Sequence, residues 1–263
     1  MATHFPASTN TSRAGSSRAA PFARQVWRQT GYELLLTLRR GENILVTLAV
    51  PVGLLIFFTS LNIVPATQGS AVNFLLPGIL AVAIMAAGMV NLGIATAYER
   101  YYGVLKRLGA SPLPRSGLIL AKVIAILILE AVQALLLIGC AIALYGWKPA
   151  GSPPLALLSI ILGTVTFAAL GLAMAGALRA ELTLAGANAL FLLFILIGGG
   201  ILPLDHLPAP LAAVSQVLPA AALTQALQAT MSAGSPVPVT PLITLTLWAV
   251  VILLVAIFTF KWE

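Results

Sequence analysis

The chain has 263 residues, of which 60% are hydrophobic and only 8% are charged, and its formal net charge is +7. Soluble domains carry about 25% charged residues, so this chain has too little polar surface to face water on all sides. The composition therefore argues against a soluble protein and predicts one that is embedded in lipid. The basic residues are gathered in a few short segments, which indicates membrane topology rather than nucleic-acid binding.

The N-terminal region divides into a polar tail and an amphipathic helix. Residues 1–20 are rich in Ser, Thr, Ala and Arg and contain no acid, which predicts a disordered tail, although organellar transit peptides share this composition. Residues 22–40 are predicted to form an interfacial helix, and an ordinary solvated helix is the alternative. Its apolar side would carry Phe22, Val26, Trp27, Thr30, Leu34 and Leu38, and its basic side Arg24, Arg28 and Arg39.

Six apolar runs are long enough to cross a membrane as helices, which takes about 20 residues each. No alternating pattern of a membrane barrel appears. The fold predicted is an all-α membrane protein with spans at about 44–64, 74–97, 118–145, 155–178, 184–202 and 242–260.

The distribution of Lys and Arg gives this topology a direction. If the N-terminus lies inside, 13 basic residues lie in inner segments and Lys148 alone lies outside. Inner loops carry an excess of Lys and Arg, so both termini are predicted to be cytoplasmic and the protein to lie in a bacterial plasma membrane.

The segment between the second and third spans, residues 98–115, has a patterned charge cluster. Its apolar side chains recur at helical spacing and predict a single short amphipathic helix that ends before Pro112: Tyr98, Tyr101, Tyr102, Leu105 and Leu108. Such a helix can dock into a groove of a partner protein. A plain basic anchor is the alternative interpretation.

This segment resembles the first cytoplasmic loop of ABC-2-type transporter permeases of the daunorubicin-resistance and multidrug-export group. The pattern of charged residues, a glycine and Leu-x-x-Leu before a proline is matched by Glu99, Arg100, Gly103, Leu105, Leu108 and Pro112, whereas Tyr101 and Tyr102 replace usual charges. The resemblance implies a coupling helix that contacts a nucleotide-binding subunit, formed by Tyr98, Glu99, Arg100, Tyr101, Tyr102, Gly103, Val104, Leu105, Lys106, Arg107 and Leu108.

The segment from Pro203 to Leu227 resembles the part of the same family that precedes the last span. Members have two short re-entrant helices there, in the outer leaflet. The resemblance covers residues 24 to the C-terminus. It implies a transmembrane domain over 21–263 that pairs with a second, identical or different permease subunit and with an ABC ATPase subunit. The ATPase would bind ATP and Mg, while this chain holds no cofactor or metal.

Four polar residues inside predicted spans are candidates for the substrate pathway or the dimer seam. Glu130 is the one deep acid, and Gln133 follows it on the same helical face and could hydrogen-bond it. Lys122 is expected to extend its ammonium to the interface. Bonding of Glu130, Asn91 and Asn188 to neighbouring helices is the alternative.

The sequence has no G-x-x-x-x-G-K-[ST] motif, which predicts that ATP hydrolysis belongs to another chain and that this chain is not an enzyme. The predicted cargo is hydrophobic or amphipathic: a drug, a lipid or a glycolipid. An intramembrane enzyme would need catalytic groups at membrane depth, and the two histidines, His4 and His206, lie outside the spans. An ion-coupled transporter or channel that acts alone remains the alternative, although such proteins usually carry several intramembrane charges.

Overall fold

The computed structural model describes residues 21–39, 41–61, 70–109, 113–201, 204, 208–232 and 234–259. Its regular elements over these residues are helices: α1 (Phe22–Arg39), α2 (Gly41–Ser60), α3 (Ala71–Met85), a π-helical segment (Ala86–Leu92), α4 (Gly93–Tyr101), α5 (Val104–Gly109), α6 (Arg115–Tyr145), α7 (Pro153–Ala177), α8 (Ala180–Ile197), α9 (Ala209–Val217), α10 (Pro219–Met231) and α11 (Val239–Thr259). The predicted all-α membrane fold is confirmed. The predicted disordered tail, residues 1–20, lies outside the described residues.

Within the part of the chain that the structure describes, five helices are long and apolar enough to cross a bilayer: Ala71–Tyr101, Arg115–Tyr145, Pro153–Ala177, Ala180–Ile197 and Val239–Thr259. The first of these, which we call the central helix, joins α3, the π segment and α4 and is the most enclosed of the five. The predicted first span corresponds to α2, whose apolar part, Leu45–Ser60, is shorter.

The predicted end of the fifth span, residue 202, is wrong. Helix α8 ends at Ile197, and a non-helical glycine run follows, in which Gly199 has a φ of +72°. A side chain at Gly78 of α3 would lie 1.9 Å from the carbonyl oxygen of Gly200. Close approach of two backbones therefore ends the helix here, and glycine permits both the left-handed φ and the contact.

Helix α6 runs the length of the helix bundle, from Arg115 at one end to Tyr145 at the other. We call the end that carries Arg100, Arg115 and Arg179 the basic end. The other is the opposite end, and it carries the 146–152 linker between α6 and α7.

Helices α9 and α10 form a bent pair at the opposite end, with an angle of 82° between them. The backbone N–H of Ser152 donates to the carbonyl of Thr230 at 2.8 Å, which places the end of α10 beside the 146–152 linker. Leu223, in the first half of α10, lies against Gly163 of α7. Gly163 is about 15 Å from Pro153, the first residue of α7, at 1.5 Å per residue. Helix α10 thus runs from inside the bundle out to the opposite end, as the predicted re-entrant pair requires.

The buried apolar side chains form two main clusters. The larger includes Leu75, Phe167, Phe194, Leu223 and Leu245 and contains residues of the re-entrant pair. The second lies towards the basic end and includes Val26 of α1, Leu105 of α5 and Leu118 of α6. Helices α1 and α5 are therefore built onto the core rather than held away from it.

Glycines bring the central helix against α7. A Cβ at Gly93 would lie 2.9 Å from the Cα of Gly171, and one at Gly88 would lie 2.8 Å from the backbone nitrogen of Ala168. Small residues on both helices thus allow the two backbones to approach closely.

Candidate functional site

Helix α1 lies against α6, and this contact corrects part of its predicted orientation. Val26 and Thr30 were placed on the membrane face, but both are buried. The hydroxyl of Thr30 donates to Val26 O at 3.0 Å and to Ala121 O of α6 at 3.4 Å. Trp27 and Leu38 remain exposed, as does Arg28 on the basic side. The apolar side of α1 is thus divided between the protein and the surface.

Lys122 is the centre of an ion triad at the basic end. Its Nζ lies 3.0 Å from Oε2 of Glu33 in α1 and 2.8 Å from Oε2 of Glu99 in α4. The lysine side chain is 1% exposed. Extension of Lys122 to the interface implied an exposed ammonium; instead, the ammonium is enclosed at the basic end and neutralised by two acids from separate parts of the chain.

The surroundings of the triad fix its geometry. Gln29 donates from Nε2 to Oε1 of Glu33 at 2.9 Å, which leaves Oε2 of Glu33 for Lys122. A lysine withdrawn from water needs such compensation, because an unpaired buried charge is strongly unfavourable. Helices α1, α4 and α6 are consequently joined at one point.

Arg100, the residue after Glu99, is anchored in another direction. Its Nη1 donates to Gly176 O of α7 at 2.7 Å, and its Nη2 donates to Leu178 O in the connection to α8. A guanidinium satisfies terminal carbonyls and complements the negative end of the helix dipole. Two adjacent residues of opposite charge therefore attach the end of α4 to two different groups of helices.

The segment that follows is a turn between two helices, not the single helix predicted over Tyr98–Leu108. Helix α4 ends at Tyr101, Gly103 adopts a φ of +70°, and α5 begins at Val104. The predicted apolar stripe is split. Leu105 is 1% exposed and belongs to the core, whereas Tyr101 and Tyr102 are 65% and 69% exposed. We call residues 98–109, which comprise the end of α4, the break at Gly103 and all of α5, the turn.

Three tyrosines cluster on the turn, of which Tyr101 and Tyr102 are exposed and Tyr98 is half-buried. Tyr98 and Tyr102 stack with ring centroids 6.1 Å apart, and Tyr101 meets Tyr102 edge to face at 5.1 Å. Val104, Lys106 and Arg107 are also exposed. An aromatic surface with basic residues beside it is well suited to contact a partner protein, since Tyr and Arg are enriched at such interfaces.

A second polar group lies halfway along α6. Glu130 is 1% exposed and accepts a hydrogen bond from the hydroxyl of Thr164 in α7. Gln133 is 2% exposed and donates to Thr47 O of α2 at 2.7 Å. Glu130 thus bonds Thr164, and the predicted partner Gln133 bonds α2 instead. Oε1 of Glu130 and Oε1 of Gln133 have no hydrogen-bond partner within the described part of the chain.

The two predicted asparagines differ in their surroundings. Asn91 lies in the π segment, is exposed, and donates to Thr47 Oγ1 at 3.5 Å, so it meets the residue that Gln133 also contacts. A π-helical turn inside a longer helix is frequent at functional sites. Asn188 is exposed on α8 and donates to Leu184 O in its own helix at 2.8 Å. The structure therefore groups Asn91, Gln133 and Glu130 around α6 and leaves Asn188 on the surface.

Sequence reasoning missed Glu33, Thr47 and Thr164. A signal was present for the first, because a lysine inside an apolar run requires a carboxylate and Glu33 is one of seven acids in the chain. Nothing in the sequence distinguishes Thr164 from the other threonines of the spans.

The arrangement of long apolar helices, a bent helix pair and a charged turn anchored at one end is that of a multi-pass membrane protein. The sequence profile of the ABC-2 type transporter family matches residues 24–232. The chain therefore belongs to the ABC-2 type transporter family, whose membrane subunits normally work with an ABC ATPase. No curated protein matches the sequence at a significant level. Membership of the daunorubicin-resistance group stays a prediction.

Proposed function

We propose that the protein is the permease subunit of an ABC exporter that moves a hydrophobic or amphipathic substrate, such as a drug, a lipid or a glycolipid. Family membership supports the class. ATP and Mg would be bound by a separate ATPase subunit, since the sequence has no phosphate-binding loop. Export rather than import rests on the resemblance of the turn to those of exporters.

The turn is the observation that carries this proposal. Tyr101 and Tyr102 offer an exposed aromatic surface, while Glu99 and Arg100 fasten the end of α4 to the bundle. A surface that only anchored the chain to the headgroups would need no such internal attachment. A partner that displaces the turn would displace α4, and with it the helices that Glu99 and Arg100 contact.

The polar group around α6 is our candidate for the substrate pathway. Glu130, Gln133 and Asn91 meet α7 and α2 near the middle of the longest helix. Separation of α6 from α2 would break the bond of Gln133 to Thr47 and open polar acceptors to an amphipathic substrate. Asn188, on the exposed face of α8, is assigned instead to the surface available to lipid or to a second permease subunit.

The proposed location is the bacterial plasma membrane, with both termini in the cytoplasm. The exposed Arg24, Arg28 and Arg39 of α1 suit the anionic headgroups of an inner leaflet. The turn would then face the cytoplasm, where an ATPase has access to it.

Co-purification tests the proposal. The protein is extracted from its native membrane with mild detergent, and the soluble proteins that accompany it are identified by mass spectrometry. We expect an ABC ATPase in the wild-type sample and at least a tenfold lower yield of it with Tyr101→Ala/Tyr102→Ala. Loss of two exposed aromatic anchors should weaken an interface strongly and leave the fold intact.

Leu144→Ala is the matched control, because Leu144 is 59% exposed at the opposite end. It should retain the ATPase fully. The absence of any ATPase, or substrate movement by the purified chain in vesicles without ATP, would contradict the proposal and favour an ion-coupled transporter.

A further inference from the structure

Lys122 joins three segments that are distant in sequence. Glu33 belongs to the surface helix α1, Glu99 to the end of α4, and Lys122 to the first part of α6. The ammonium lies within 3.0 Å of both acids, and its side chain is enclosed. Because the two carboxylates share one cation, Lys122 links α1 and α4 to the same point of α6.

The triad is one of the polar attachments of the turn. Glu99 leads to α6 and α1, whereas Arg100 leads to the end of α7 through Gly176 and Leu178. Near α6, Thr30 adds a second contact between α1 and that helix, at Ala121 beside Lys122. Helix α1 therefore contacts the part of α6 that binds the turn. The ionic part of this contact is the Glu33–Lys122 pair.

We infer that Lys122 is a positioning residue that makes α1, the turn and the first part of α6 move as one body. Glu33 is the member of the triad that recruits α1. When the turn is displaced, α1 shifts relative to α11, whose described residues include no partner of Lys122 or Arg100. The inference rests on the proposed function, because the ATPase supplies the displacement.

Glu33→Gln isolates this role. The amide keeps the size of the side chain and still accepts from Gln29, while the Lys122–Glu99 pair remains to hold the turn. Removal of the Glu33 charge thus breaks the ionic link of α1 to Lys122. The packing of Val26, the bond of Thr30 to α6 and the attachment of α4 to α6 stay in place.

The experiment measures the distance between α1 and α11 in the complex with the co-purified ATPase. Spin labels are placed on Arg28→Cys and Phe258→Cys, both at exposed positions, in a background where Cys140, the single cysteine, is Ala. The distance between the labels is measured by double electron–electron resonance, without nucleotide and after trapping with ADP and vanadate. We expect a shift of the distance distribution in the otherwise unchanged protein and a shift at least twofold smaller in Glu33→Gln, with the yield of ATPase and its basal rate within twofold of the parent.

Glu181→Gln is the control, since Glu181 is an exposed acid at the same end of the bundle, on α8. It should leave the shift unchanged. An equal shift in Glu33→Gln, or no shift in the parent complex, overturns the inference while the proposed function stands. Failure of any ATPase to co-purify overturns the proposed function and the inference with it.

Discussion

Lys122 and its two acids illustrate how a buried charge determines local packing. Two carboxylates face one ammonium where water has little access, so each group depends on the others. Removal of one member of a buried ion pair typically costs about 3–5 kcal/mol, because the remaining charge is left without compensation. A variant in which all three side chains are replaced by neutral ones has no such uncompensated charge.

Lys122→Met should therefore destabilise the protein by about 3–5 kcal/mol, since Glu33 and Glu99 would face each other without a cation. The triple variant Lys122→Met/Glu33→Gln/Glu99→Gln should recover most of this loss. Thermal unfolding of the purified variants in the same detergent compares them. A triple variant as unstable as the single one would mean that shape rather than charge holds these three segments together.

Gly93 provides a separate test at the seam between the central helix and α7. A Cβ there would lie 2.9 Å from Gly171 Cα and 3.0 Å from Gly171 O, and backbone cannot turn aside as a flexible side chain can. Overpacking of this kind costs about 1–3 kcal/mol. We expect Gly93→Ala to lower the unfolding temperature, as measured by fluorescence in detergent.

Gly139→Ala is the matched substitution, because no atom lies within 4 Å of a Cβ at Gly139 of α6. It should be neutral or slightly stabilising, since alanine favours a helix over glycine. Equal effects of the two substitutions would show that the seam is loose enough to accept a methyl group.

Single residues were predictable from the sequence when their own chemistry set them apart. Glu130 stands out because an acid inside a span is costly, and it is indeed buried. Its partner was not predictable, because Thr164 reaches it from a helix 34 residues further on. The burial of Lys122 was missed for the same reason: one of its partners, Glu33, belongs to a helix that was expected to lie in the headgroups.

At the scale of the element, the turn shows where periodicity fails as a guide. The spacing of Tyr98, Tyr102 and Leu105 fits one helix, but Gly103 takes a left-handed φ that interrupts it. A glycine within a short periodic run is compatible with a continuous helix and with a break in the helix. The contacts of Leu105 with the core favour the broken conformation. The positions of the long helices follow from the apolar runs, but their ends do not. The helix predicted over 74–97 extends to Tyr101, and α8 ends at Ile197.

Leu105→Asp should abolish the folded protein, because it places a charge in the core at a side chain that is 1% exposed. Val104→Asp, at the neighbouring residue, is the matched control, since Val104 is 40% exposed and should tolerate the charge. Size-exclusion chromatography of the detergent extracts measures the monodisperse fraction of each. Normal folding of Leu105→Asp with loss of the ATPase alone would restore the interpretation of Leu105 as a docking residue.

At the scale of the whole molecule, α6 connects the two polar sites. Lys122 lies near its basic end, and Glu130 lies about 12 Å further along at 1.5 Å per residue. A shift of the turn that reaches Lys122 is transmitted through a single continuous helix to Glu130 and Gln133, which contact α7 and α2. The anchored turn and the candidate pathway thus share one rigid element, as a coupled transporter requires.

The sidedness of the bundle decides whether this coupling can operate. Val104 and Lys148 lie at the two ends and are both exposed, so each can be replaced by cysteine in the Cys140→Ala background. A membrane-impermeant maleimide applied to intact cells should label Lys148→Cys at once and Val104→Cys after permeabilisation, because 13 of the 14 basic residues are assigned to the inner side. Labelling of Val104→Cys in intact cells would place the turn outside the cell. No cytoplasmic ATPase could then reach Tyr101 and Tyr102, and the transport proposal would fail together with the inference about Lys122.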